Sequence, residues 1–143
     1  MNPNAFTRLA VTLAASGLGV LLAGSALAQP RFDAGKREFD DNCAACHGKD
    51  GRGAGSITDL LKKSPPDLSL LSRRNGGVFP LARVYEVVEG AGPGHGTREM
   101  PAWGQAFGQQ AAEYYVDMPY NSEGYVRARI LALVEYVNRL QMK

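Results

Sequence analysis

Cysteine and histidine are scarce in this chain, and the scarcity removes whole classes of chemistry. The 143 residues hold 2 Cys and 2 His. A structural zinc site takes four ligands, and no second cysteine pair accompanies Cys43 and Cys46. His47 and His95 complete a set of four only at a spacing that fits no common zinc finger. A disulfide scaffold fares no better, because so short a loop between two cysteines gains little from cross-linking. Long basic runs are also missing. The longest are the pairs Lys62-Lys63 and Arg73-Arg74, and 16 Lys and Arg stand against 14 Asp and Glu, so nothing points to nucleic acid. No segment alternates apolar and polar residues with the period of a strand, and there is no internal repeat or low-complexity tract.

Charge is missing from the N-terminus too, with one exception. Arg8 is the only charged residue before Arg31, and the stretch Leu9 to Leu22 is apolar. Small residues follow and end in Ala26-Leu27-Ala28. A charged start, an apolar middle and an Ala-x-Ala end make a secretory signal peptide over residues 1–28, cleaved after Ala28. The competing reading is a retained anchor, since the uncharged run approaches the roughly 20 residues that span a bilayer. No cysteine marks a lipid attachment point and no twin arginine is present. Residues 29–143 then form one domain of ordinary size.

Against these absences stands one dense motif, Cys43-Ala44-Ala45-Cys46-His47. Two thiols three positions apart, with a histidine directly after the second, form a covalent attachment site for c-type haem. Each cysteine sulfur adds to one vinyl group on an edge of the porphyrin. His47 then lies under the ring, where an imidazole nitrogen reaches the iron. A thioredoxin-like redox pair would want a βαβ setting, whereas the flanks here are helical and rich in glycine.

The rest reads as helices joined by Gly/Pro loops. Phe32, Gly35, Lys36, Phe39 and Cys43 recur every three or four positions, which predicts a first helix from about Asp33 to Asp41. Residues 48–66 carry four glycines and then Pro65-Pro66, and predict irregular backbone. Asp67 can cap a short helix after it. Pro80 suits a first turn, Leu81, Val84, Tyr85 and Val88 repeat at helical spacing, and Gly90 ends the run. A last helix has Ser122 as its expected N-cap and a stripe of Val126, Ile130, Leu133, Val134, Val137 and Leu140.

The attachment motif, and the pairing of first and last helices, resemble the cytochrome c family. The resemblance implies an all-α fold in which those two helices cross beside one covalently bound haem c. Gly35 suits the close approach, with Phe39, Leu133 and Tyr136 filling the contact. Met100 lies 53 residues after His47, within Met100-Pro101-Ala102-Trp103-Gly104. That segment resembles the distal methionine motif of class I members and makes Met100 the second iron ligand. Met118-Pro119 and His95, between Gly94 and Gly96, are the competitors. Pro65-Pro66-Asp67-Leu68 resembles the segment whose proline carbonyl accepts a hydrogen bond from the ligand histidine, and Pro66 or Pro65 would take that role. Trp103 would give its indole N–H to a haem propionate, and Arg98 would pair with the propionates or remain solvated. Tyr85 and Phe79 would pack near the haem. Residues 109–121 depart from a minimal family member and carry Tyr114, Tyr115, Met118, Pro119 and Tyr120, expected to cover the haem or to form a docking patch.

The resemblance implies a periplasmic electron carrier rather than an enzyme. A histidine and a thioether fill both axial positions, favour iron(II), and leave no place for oxygen or peroxide. The expected partners are a donor and an acceptor protein met by a monomer in transient complexes, with no nucleic acid, and with a membrane only if the leader is retained. The alternatives are an electron-entry subunit fixed in a larger dehydrogenase or oxidase, and a haem sensor or weak peroxidase with a displaceable sixth ligand.

Overall fold

A computed structural model describes residues 32–91 and 100–142. The expected signal peptide, residues 1–28, together with His95 and Arg98, lies outside the described residues. Among those described, the secondary structure is helical throughout.

Helix α1 runs Ala34–Asn42, and the Asp33 side chain caps it by accepting from the Lys36 N–H at 2.9 Å. A four-residue helix, α2, follows over Ala44–His47 and carries the attachment motif. The expected irregular stretch comes next, interrupted by a 3-10 turn at Thr58–Leu60. Asp67 does cap the next element, a 3-10 turn at Leu68–Leu70 that runs into α3, Leu71–Arg74. Helix α4 spans Leu81–Glu89 between Pro80 and the left-handed Gly90. Helix α5 spans Trp103–Tyr114, and α6, the longest, spans Ser122–Arg139.

Two features differ from the sequence expectation. The N-cap of α6 is Asn121, whose side chain accepts from the Gly124 N–H at 2.8 Å, and Ser122 is the first helical residue. Either side chain can cap; the chain turns one residue earlier than expected. Helix α5 was not expected at all. Its buried residues Phe107 and Ala111 stand four apart and form a thin stripe, diluted by Gly104, Gly108 and three glutamines.

The core sits where α1 and α6 cross. Phe39, Phe107 and Ile130 are fully buried, and Leu133 and Val134 nearly so. Burying each is worth about 1.5–3 kcal/mol. The Phe39 and Tyr136 rings lie 5.2 Å apart in a tilted pair. Gly35 sits at the crossing, and a Cβ there would come within 2.0 Å of the Ala132 carbonyl oxygen. Only a residue without a side chain lets the backbones come this close, which outweighs the roughly 1 kcal/mol that glycine costs in a helix. Arg129 of α6 closes the side of the crossing, with Nε and Nη2 each 2.8 Å from the Glu38 carboxylate. Burial opposes charge on Arg129, but Glu38 outweighs it and holds the guanidinium pKa above its usual value.

Candidate functional site

The attachment motif is wound as one helical turn. The Cys43 N–H donates to the Phe39 carbonyl at 2.9 Å, and the His47 N–H donates to the Cys43 carbonyl at 2.9 Å. Residues three and four apart on a helix share a face, so this winding brings Cys43, Cys46 and His47 together. Cys43 and His47 are buried and Cys46 is half-buried. The loop that follows braces the turn. Gly53 N–H donates to the His47 carbonyl at 2.7 Å, and Thr58 Oγ1 donates to the Cys46 carbonyl at 3.1 Å. These bonds satisfy carbonyls that the short helix leaves without intrahelical partners.

No disulfide joins Cys43 and Cys46. Burial pushes the Cys43 thiol up to about 12, with the nearby Glu38 charge and then Cys46 adding to the effect. A thiol so placed stays neutral at pH 7, which does not suit a redox-active dithiol, since that acts as a thiolate.

The motif opens onto a cavity of about 440 Å³. That is within the range of small-molecule and cofactor sites, roughly 300–1,000 Å³. Cys43 and His47 line it together with Pro66 and Met100. Its walls are apolar: Val84, Val87 and Val88 from α4, and Leu133 and Val137 from α6. Helix α4 therefore turns Val84 and Val88 inward as expected, whereas Leu81, from the same predicted stripe, is 51% exposed. Phe79 and Tyr85 pack against the core without being part of the cavity lining.

Of the methionines after the motif, Met100 lines the cavity, while Met118 and Met142 are exposed away from it. Pro66 lines the cavity too, whereas the Pro65 carbonyl oxygen turns to Gly53, where a Cβ would lie 2.5 Å from it. Trp103 packs against the core at the start of α5, and its buried Nε1–H has no acceptor among the described residues. Trp103 is not part of the cavity lining, and its indole N–H is open to an oxygen of a bound group or of water. The apolar walls and the motif's thiols and histidine fit a haem.

Residues 109–121 do not cover the cavity. Tyr115 stacks on Tyr120 at 4.9 Å and meets Tyr125 edge-on at 5.6 Å, forming a separate aromatic corner between α5 and α6. Sequence reasoning missed the polar rim of the cavity, made by Arg74, Asn75 and Arg83. The run Arg73-Arg74-Asn75-Gly76-Gly77 was its one visible signal, a turn with two cations in it.

A family model described as Cytochrome c matches residues 32–141. Neither the curated proteins nor the solved structures give a match.

Proposed function

This chain belongs to the cytochrome c family, an all-α carrier of electrons on covalently bound haem c and its iron, and we propose that it is a monohaem class I member that shuttles single electrons in the periplasm. The observation that carries the reading is the joint presence of Cys43, His47 and Met100 on one apolar cavity. Bound haem supplies a one-electron couple, iron(III) to iron(II). Cys43 and Cys46 would hold it through thioether bonds. His47 and Met100 would be its iron ligands, and such a pair would let electron transfer proceed with little movement of the ligands. A thioether ligand would favour the softer iron(II) and raise the potential relative to two histidines. The valine and leucine walls would limit water at the iron and favour the less charged, reduced state further. Pro66 would fix His47 by accepting from its second ring nitrogen. Trp103 would donate to a propionate, and Arg98 would add charge there.

The periplasmic setting rests on the leader 1–28, with residues 29–143 as the mature domain. No helix among the described residues is long and apolar enough to cross a membrane. The partners proposed are a donor and an acceptor protein, met in turn by a monomer.

Met100→Ala tests the ligand assignment that separates carrier from sensor or peroxidase. The variant is expected to bind carbon monoxide when reduced, to show a lower reduction potential, and to lose the thioether-to-iron(III) absorption. An unchanged spectrum and potential would move the ligand elsewhere, with His95 next in line.

A further inference from the structure

Helix α6 ends at Arg139, and the residues after it are bonded to a wall of the cavity. The half-buried Gln141 side chain uses its whole amide there. Its Nε2 donates to the Leu68 carbonyl at 2.8 Å and to the Val137 carbonyl at 2.9 Å, and its Oε1 accepts from the Ser72 N–H at 2.8 Å. Beside it, the Met142 N–H donates to the Ser69 carbonyl at 2.9 Å. Leu68 and Ser72 lie 73 and 69 positions before Gln141, so one side chain ties together segments far apart in sequence. Among side chains of this length, only the amide offers an acceptor and two donors at once.

The tied segment is part of the cofactor pocket. Pro66, Leu68 and Leu71 line the cavity, and so does Val137, whose carbonyl takes one of the amide's bonds. The same segment is joined to the attachment motif through backbone. The Leu68 N–H donates to the Gly51 carbonyl at 2.7 Å, and in the same loop the Gly53 N–H donates to the His47 carbonyl at 2.7 Å. The packing there has no slack. A Cβ on Gly53 would come within 2.5 Å of the Pro65 carbonyl oxygen, and one on Gly51 within 3.1 Å of Leu140 Cδ1. His47, the glycine loop, the Pro66–Leu71 segment and the residues after α6 therefore form one continuous bonded network. Water can satisfy the same backbone groups singly, but it does not hold two segments at a fixed spacing.

Resting on the haem reading above, we propose that Gln141 is a positioning residue for electron transfer, which clamps the Pro66–Leu71 wall to the end of α6 and so keeps the His47 side of the pocket closed. Gln141 does not line the cavity and acts through Leu68 and Pro66. A ligand histidine whose second nitrogen is held by a fixed acceptor keeps its orientation as the iron changes charge. Little then has to move with each electron. Without the amide, the wall separates from α6, water reaches the His47 ring, and more of the surroundings must rearrange at each transfer.

The test follows two rates by NMR of the full-length holoprotein: solvent exchange of the His47 ring N–H in heavy water, and electron self-exchange between reduced and oxidised protein. In Gln141→Leu the ring N–H is expected to exchange roughly tenfold faster than in the wild type, at a rate that low urea does not change, as in local opening. Self-exchange is expected to be several-fold slower. Gln141→Asn keeps the amide but loses one methylene of reach, and shows the same changes if the leucine variant does not fold. Gly35→Ala controls for stability alone: it weakens the α1–α6 crossing and should leave ring exchange close to that of the wild type. An unchanged value of either rate in the Gln141 variants overturns the proposal. So does equal acceleration in Gly35→Ala, because ring exchange then reports global unfolding and Gln141 only stabilises the fold. A wild-type ring N–H that exchanges at once overturns it too, since nothing then holds that bond. Absence of covalent haem on a denaturing gel would instead remove the haem reading itself, before any rate is measured.

Discussion

Met100, Met118 and Met142 share one chemistry and differ in surroundings: the first lines the cavity, and the other two are exposed. The sequence separates them only through neighbours, since Trp103 and Gly104 follow Met100 and nothing comparable follows Met118. The proposed attachment residues are simpler to single out. The chemistry expected of them demands contiguous positions, so one short motif contains all of it. Arg74 and Arg83 were not legible, because their place at the rim arises from a turn and a helix start that meet only in three dimensions. Asp67 gives a residue-scale prediction. Its carboxyl is held below the ordinary 3.8, chiefly by the Ser69 hydroxyl, with the Ser69 N–H and the Arg74 and Arg52 charges adding and burial opposing. A depressed folded pKa means that the stabilisation is complete above 3.8 and is lost as pH falls through the lower, folded value. Urea unfolding across acid pH should show a steeper loss of stability in the wild type than in Asp67→Asn; parallel curves would mean that the cap contributes nothing to acid sensitivity.

Helices whose apolar stripe is dense were legible as elements, and α5 shows the opposite case. Helix α6 carries five buried residues and an end cap, and its span was expected to within a residue. Helix α5 buries two, has no side-chain cap and contains two glycines, so its helicity comes from packing against α6 rather than from its own sequence. The misplaced role of residues 109–121 follows from missing that helix: once Trp103–Tyr114 is wound, the tyrosines beyond it stack on one another and on α6. The α1–α6 crossing supplies the element-scale prediction. Gly35→Ala gains helix propensity of roughly 1 kcal/mol, but places a methyl group against a backbone carbonyl. The net expectation is a loss of about 2 kcal/mol, seen as an earlier denaturant midpoint with an unchanged slope. A midpoint at or above that of the wild type would show that the helices separate without cost.

At the scale of the whole molecule, an apolar cavity, a cluster of attachment residues and a polar rim lie on adjoining parts of one small fold. The family resemblance supplied the helical class and the haem; net charge, averaged over the chain, hid the rim entirely. The proposed ligation of the iron by both His47 and Met100 would leave it no open position and suit it to electron exchange. The absorption spectrum of the oxidised wild-type protein tests this most directly. The weak near-infrared band that a thioether on iron(III) gives is the expected result. Covalently retained haem without that band would contradict it.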